Sequence, residues 1–392
     1  MRQIDLEKIR KDTPGVGTSA HLLACGSALM PQCVVNAIVE HTQLEAQIGG
    51  YEAHAKEVDK LDRVYHSVAR HLGAKTTEIA LMENATVAWC HAFYALPLKL
   101  GSRILTCEAE YAANYVAFLQ RAKRDNLTID VIPSDASGAL DLDALQTMMD
   151  EDVGLIAITW IPTNGGLVNP AADVGKIANA HGVPYLLDAC QAAGQKRIDV
   201  AELGCDFLSA TGRKFLRGPR GTGFLYVKES WLSSLEPAMI DHFGAPWVAR
   251  DHYELREDAR RFETWENSYA LRAGLGVAMD YADQIGIDLI ENRVTLLADK
   301  ARTLLSDLPT VNLKDLGQDK CGIVSFSIAD KDPRQIVQQM AKSGFAIGAS
   351  QASSTRLDSE RRNLPTMLRI APHYYNSEDE IERAVARLGK LL

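Results

Sequence analysis

The chain predicts an α/β protein with a large, mostly parallel sheet and a smaller α+β C-terminal part. Three observations lead there. Between Gly73 and Val227, short apolar runs alternate with segments of helical period. Several of those runs are almost wholly apolar, as strands covered on both faces must be. The length of 392 residues suggests two domains, and the texture changes after about Trp231.

Taken in order, residues 5–10 predict a short helix, stopped by Asp12, Thr13, Pro14 and Gly15. Residues 31–43 read as a helix beginning at Pro31, a favoured first-turn residue. Gly49, Gly50 and Tyr51 break the chain. From Ala55 to Leu72 a second helix carries Val58, Leu61, Val64, Tyr65, Val68 and Leu72 on one stripe, and Gly73 closes it. The alternation then runs as strand 79–82, a helix through Leu96, strand 103–107, helix 114–124 and strand 128–132. It continues as helix 141–149, strand 153–161, helix 170–181 and strand 183–187, which runs into Asp188. Strands 206–209 and 223–227 complete the set. Beyond a charged stretch interrupted by FETWENS come helices 271–285 and 287–308, then short strands and helices. Ser377 and Glu380 fit a capping box for the last helix, 377–392, with Ile381, Val385 and Leu388 as its stripe. The larger part is placed at 15–255 and the smaller at 1–14 with 256–392.

Composition narrows the function classes. Hydrophobic residues at 46% and charged residues at 24% suit an ordinary soluble globular protein. A net charge of −9 argues against nucleic acid as a partner, because such binding neutralises phosphates. No apolar run approaches a membrane span. The N-terminus is charged without an apolar core, so no secretory signal is expected. The seven cysteines form no C-x-x-C pair. Neither a zinc site nor a disulfide framework is therefore expected, and a cytoplasmic location is the default.

In a parallel sheet, ligands bind beyond the carboxyl ends of the strands, so residues following strands are the candidates. Ala85 and Thr86 precede an apolar helix and can meet an anion at its start; Thr86 can equally be a simple cap. Thr163 opens a turn through Gly165 and Gly166, and a turn is also all it need be. Asp188 ends a buried strand, where an unpaired carboxylate is costly. Lys214 lies between two strand-like runs in DFLSATGRKFLRGPRGTGFLYV, with Thr211 and Arg213 beside it. Alone, that stretch reads equally as a basic surface hairpin. With Asp188 to hold a pyridinium nitrogen, Lys214 to form a Schiff base, and Thr211, Arg213, Ala85 and Thr86 to hold a phosphate, the parts are those of pyridoxal phosphate chemistry. No dinucleotide turn or P-loop competes.

These segments resemble those of the class V aminotransferase family of fold-type I pyridoxal phosphate enzymes, which includes the cysteine desulfurases. LLDACQA is similar to its strand-Asp-x-x-Gln segment, and SATGRKFLRGPRGTGFLY to its Schiff-base lysine segment. WIPTNGGLVNP and MLRIAPHYYNSEDEI are similar to its Asn-Pro and C-terminal arginine segments. The resemblance implies a fold-type I architecture with a mostly parallel sheet of the seven-stranded type and pyridoxal 5'-phosphate as cofactor. It implies Lys214 as the catalytic Schiff-base lysine, Asp188 on the pyridine nitrogen, and Gln191 and Thr163 near the phenolic oxygen. Tyr111 in CEAEYAAN would stack on the ring, where relatives carry an aromatic or His. Ala85, Thr86, Thr211 and Arg213 would bind phosphate, although many relatives have His at the position of Arg213. Arg369 would pair with the α-carboxylate of a small amino-acid substrate, against the alternative of a surface salt bridge. The family's homodimers share their sites, so FETWENS would reach the neighbouring cofactor.

One departure shapes the expected reaction. Cysteine desulfurases carry a nucleophilic Cys on a loop before the arginine segment, whereas IGASQASSTRLDSERR has Ser350, Ser353 and Ser354 and no Cys. Cys321, upstream, reads as a core residue. HTQLEAQIGGYEA and SSTRLDSERR resemble a branch with isopenicillin N epimerase-like proteins and ergothioneine-pathway C–S lyases, where a loop containing Tyr51 would shape the substrate pocket. The expected activity is accordingly β-elimination of a C–S bond in a cysteine-derived conjugate or sulfoxide, not desulfuration. An aminotransferase and an epimerase are the alternatives. A non-catalytic cofactor carrier is a further class, against which the full set of Lys214, Asp188 and Arg369 counts.

Overall fold

The computed structural model describes residues 4–392, so the first three residues of the 1–14 segment lie outside the described part. A short helix, Leu6–Lys11, is capped by Asp5, whose side chain accepts from Lys8 N at 3.0 Å. Helix α1 (Gln32–Ile48) follows, with Pro31 at its N-cap rather than inside the first turn. Helix α2 (Gly50–Leu72) begins at once. The chain break expected over Gly49, Gly50 and Tyr51 is therefore one residue wide. Gly49 sits at φ 94°; its N–H donates to Glu45 O and its carbonyl accepts from Ala53 N, so one glycine ends α1 and starts α2.

Seven strands form the main sheet: β1 (Ile79–Met82), β2 (Arg103–Cys107), β3 (Thr128–Ile132), β4 (Val153–Thr159), β5 (Tyr185–Asp188), β6 (Phe207–Thr211) and β7 (Gly223–Val227). Their order is β1-β7-β6-β5-β4-β2-β3, with β7 antiparallel to both neighbours and every other pairing parallel. The apolar runs explain the burial. Alternate residues of β1, β4 and β7 divide between two cores. Leu81, Ile156, Ile158, Phe224 and Tyr226 lie in one core, with Val64, Val68 and Leu72 of α2. The other core holds Met82, Leu155, Ala157, Leu225 and Val227. Helices α3 (Ala85–Ala95) and α4 (Ala112–Asp125) cover this second face with Trp89, Phe93 and Phe118. Helix α5 (Ala171–His181) adds Ala171, Val174 and Ala178 to the first. Each fully buried Leu or Ile contributes roughly 1.5–3 kcal/mol. Slipping a strand by one residue would exchange the two faces and misplace everything beyond it.

Helix α6 (Tyr269–Ile285) packs against α1 and α2. Helix α7 (Ile287–Ser306) leads to a four-stranded antiparallel sheet of β8 (Val311–Leu313), β9 (Val324–Ile328), β10 (Gly348–Ser350) and β11 (Met367–Ile370), ordered β8-β9-β11-β10. Leu297, Ala301 and Leu305 of α7 pack into its core with Ile381, Val385 and Leu388 of the last helix, α8 (Glu378–Gly389). The expected capping box is present, Ser377 accepting from Glu380 N and Glu380 accepting from Ser377 N. Among the described residues no helix is long and apolar enough to cross a membrane.

Contacts from two sides lock the segment after β6 in place. Beyond β11, His373 accepts from Tyr374 N at one ring nitrogen and donates to the Phe215 carbonyl at 2.7 Å from the other. Burial holds this imidazole well below its usual range, hence neutral. The fully buried Arg217 sits 4.8 and 4.9 Å from the ring centres of Tyr375 and Tyr374 and donates to Leu29 O. From the other side comes Gly194, at φ 90°, where an added Cβ would fall 2.3–2.4 Å from backbone atoms of Phe215 and Leu216. Neither the backbone conformation nor the space admits a side chain. Gly194→Ala is expected to cost about 2–4 kcal/mol, measured as a lower urea midpoint; an unchanged midpoint would show that this approach is not constrained.

Candidate active site

The carboxyl ends of β1, β2, β5 and β6 converge on a cavity of about 370 Å³. Of the residues expected there, it is lined by Ala85, Thr86, Tyr111, Asp188, Thr211, Arg213 and Lys214. The local folding accounts for each. Asn84 caps α3, its Oδ1 accepting from Val87 N at 3.0 Å. Ala85 and Thr86 then open the helix, where amides have no intrahelical acceptor and favour an anion. Arg213 and Arg220 bring two cations to the same cavity. Burial, then the charge of Arg220, lowers the pKa of Arg213. Arg213 also donates to the Gly26 carbonyl, which fixes the guanidinium.

Asp188, 4% exposed, stands at the other end. Its Oδ1 accepts from Cys190 N at 2.9 Å and its Oδ2 from Asn114 Nδ2 at 2.9 Å. Two donors answer the desolvation cost that the sequence position implies. Lys214 Nζ lies 6.0 Å from the centre of the Tyr111 ring. Burial raises the Tyr111 phenol, and the Cys190 thiol is pushed up by burial and by Asp188.

Three expected residues form an adjoining group outside the cavity lining. Gln191 Nε2 donates to Cys25 O at 3.1 Å and to Thr163 Oγ1 at 3.3 Å, while its Oε1 is buried without a partner. Arg369, on β11, donates through Nη1 to Thr163 O at 2.7 Å and Thr163 Oγ1 at 2.9 Å. Arg369 has no carboxylate ion-paired with it among the described residues, so it is not the surface salt bridge weighed above. Tyr51 is not brought in. It lies on the first turn of α2 and is 74% exposed.

The serines of segment 347–362 differ in setting, with Ser354 half-buried. Ser350 donates to Asn164, and Ser353 is exposed. Cys321 is buried and its thiol pushed up to about 12, mainly by burial, which removes it as a nucleophile. Three contributors were missed from the sequence: Glu110, Asn114 and Arg220. Glu110 follows β2 and could have been found by the strand-end rule. Asn114, four residues on, reaches Asp188 only through the fold.

This donor set fits pyridoxal 5'-phosphate. It combines an amine at Lys214, a carboxylate at Asp188, a helix start with two arginines for the phosphate, and an unpartnered Gln191 Oε1 for a hydroxyl. Among the described residues no group of three or more His, Cys, Asp or Glu is placed to hold a metal ion. Replacing Asn114 by Ala strips a donor from two buried carboxylates. It is expected to cost about 3 kcal/mol, seen as a lowered urea midpoint; a change under about 0.5 kcal/mol would contradict the pairing.

The class-V aminotransferase family model matches residues 20–384. A probable cysteine desulfurase of Methanothermobacter thermautotrophicus is 27% identical over 382 residues, covering 96% of this chain and 95% of the relative. One from Xylella fastidiosa is 30% identical over 401 residues, covering 99% and 95%. The apo structure of a cysteine desulfurase from Thermococcus onnurineus superimposes with a TM-score of 0.93 at 25% identity, covering 100% of this chain and 98% of that one. These relatives overturn the expected β-elimination on a conjugate or sulfoxide, and with it the exclusion of a desulfurase. That expectation took the missing loop Cys to mean that no sulfur acceptor exists, but an acceptor thiol need not belong to that loop. Fold, cavity and end-to-end similarity agree: the chain belongs to the class-V aminotransferase family.

Proposed function

We propose that this protein is a pyridoxal phosphate enzyme that takes sulfur from cysteine and passes it to an acceptor thiol, leaving alanine. The observation that carries it is the convergence of Lys214, Asp188 and the start of α3 on one cavity, in a chain similar over its whole length to cysteine desulfurases. When bound, the cofactor supplies an electron sink that acidifies the substrate α-carbon and loosens the bond at its β-carbon.

The chain's own groups divide the remaining work. Lys214 Nζ holds the cofactor aldehyde and moves the α-proton. Asp188 meets the ring nitrogen, Tyr111 lies against the ring, and Gln191 with Thr163 faces the phenolic oxygen. Thr211, Arg213 and the amides of Ala85 and Thr86 take the phosphate, with Arg220 as a further cation. Arg369 takes the substrate carboxylate, since its planar fork suits a bidentate pair.

Sulfur leaves as the cysteine C–S bond breaks. The acceptor thiol forms the new S–S bond of a persulfide, and the cysteine carbon regains a proton to become alanine. Segment 347–362 holds no thiol, and Cys190, which lines the cavity, has its thiol pushed up by burial and by Asp188, so the acceptor comes from elsewhere, as a small-molecule thiol or a partner protein's cysteine.

A homodimer with shared sites belongs to this proposal. Trp247, Val248, Tyr253 and Trp265 are exposed on neighbouring stretches of the chain, which suits an interface, and Tyr51 would serve a site only from across it. Residues 15–255 are proposed as the cofactor-binding unit and 1–14 with 256–392 as the smaller one. Seven free cysteines suit a cytoplasmic location.

With cysteine and added dithiol, the protein is expected to release alanine and sulfide in equal amounts, measured by amino-acid analysis and sulfide assay. Lys214→Ala abolishes both products. Arg369→Lys raises KM by about tenfold or more, since a bidentate charged pair is worth ~1.5–3 kcal/mol. Pyruvate and ammonia in place of alanine, or no dependence on added thiol, would sink the proposal.

A further inference from the structure

One carboxylate beside the cavity has no part in the chemistry above. Glu110 follows β2 by three residues and is 3% exposed. Its partners are all neutral donors. Oε1 accepts from Tyr111 N and Asn114 Nδ2, each at 2.8 Å, and from the Thr159 hydroxyl. Oε2 accepts from Thr106 Oγ1 and Thr159 N, each at 3.0 Å. The Cys107 thiol also donates to Oε2, at 3.8 Å. A structural glutamate with six donors and no cation is unusual, because an ionised carboxylate in an apolar core is normally paired with a charge.

The link to the cavity is Asn114. The same amide nitrogen that donates to Glu110 also donates to Asp188 Oδ2. An amide has two N–H groups, and each is committed to one carboxylate. Asn114 therefore cannot turn without breaking one of these bonds. Asp188 in turn presents its remaining acceptor capacity to the cavity it lines.

We infer that Glu110 is a positioning residue for the cofactor's ring nitrogen, fixing Asp188 through Asn114 and adding its negative charge behind that of Asp188. The inference rests on the proposal that this cavity holds pyridoxal 5'-phosphate. It predicts that cofactor affinity responds to the ionisation of a residue that does not touch the cofactor.

The environment makes that ionisation accessible near neutral pH. Burial, the largest cause, pushes the Glu110 carboxyl up to about 7; hydrogen bonds from Thr159, Asn114 and Tyr111 oppose it, and the charge of Asp188 reinforces it. The groups facing it are Thr106 and the Cys107 thiol from β2, Tyr111 N, Asn114 from α4, Thr159 from β4 and Asp188 from β5. The Cys107 thiol is itself raised well above its ordinary value by burial, so Glu110 is the group here that titrates near 7. A protonated ring nitrogen is a cation and favours the ionised form of Glu110. Cofactor binding should therefore release a proton from Glu110, and affinity should rise as pH climbs through about 7.

The test is the affinity of apo-protein for pyridoxal 5'-phosphate between about pH 6 and 8.5, followed by visible absorbance, in wild type, Glu110→Gln and Thr159→Val. If binding shifts Glu110 by about one unit, wild-type affinity gains up to about tenfold across neutrality beyond the change seen in Glu110→Gln. The Gln variant then binds nearly as wild type at pH 6 and about tenfold more weakly at pH 8.5. Thr159→Val removes a donor that favours the ionised form, so its inflection moves to higher pH. A Glu110→Gln profile parallel to wild type, weaker by one factor at every pH, is what a merely structural role gives and would overturn the inference. Should Glu110→Gln fail to fold, an inflection unmoved in Thr159→Val overturns it instead. Wild-type apo-protein that binds no pyridoxal 5'-phosphate at any pH would defeat the cofactor proposal itself, a separate outcome.

Discussion

The site depends on a carboxylate held at the end of a buried strand. Asp188 is surrounded by core on both faces of the sheet, where an unpaired charge would destabilise the fold by several kcal/mol. It persists because Cys190 N and Asn114 Nδ2 each meet one of its oxygens. Both donors are set by the fold: one comes from the turn after β5, the other from the first turn of α4. The register of β5 against β4 and β6 pairs Asp188 with Thr159 and Ser209, so the sheet fixes where the charge points.

The second requirement is that Lys214 stay near that charge. The lysine segment is neither strand nor helix and would be mobile on its own. It is gripped from two directions instead. Gly194 lets the chain after β5 press against Phe215 and Leu216, while His373 and the tyrosines around Arg217 hold it from the C-terminal side. The same C-terminal stretch carries Arg369 on β11, four residues before His373. Lys214 and Arg369, far apart in sequence, are thereby tied to one framework.

Most of the framework was legible in the sequence because strands of the main sheet are short apolar runs bounded by polar turns, and buried parallel sheets demand that pattern. The strand-end rule then found Asp188, Thr211, Arg213 and Lys214, which line the cavity. What escaped were features defined by pairing across elements. Glu110 was within reach of the strand-end rule, but its tie to Asp188 through Asn114 shows only when β2, β4 and β5 are laid side by side. A glycine pair suggests a loop, but the positive φ of Gly49 lets one residue join two helices. The reaction was the least legible. A loop without a cysteine argues against sulfur transfer only if the acceptor thiol must lie in that loop. Tyr51, exposed on α2, has a role in the site only if a second subunit brings it there.

The central claim is that Lys214 is the amine that holds pyridoxal 5'-phosphate in this cavity. Borohydride reduction of the holoprotein, followed by proteolysis and mass spectrometry, tests it most directly. The account predicts one pyridoxyl-phosphate adduct per chain, on the peptide containing Lys214. Adducts on other lysines, or none under conditions where the cofactor is bound, would contradict it.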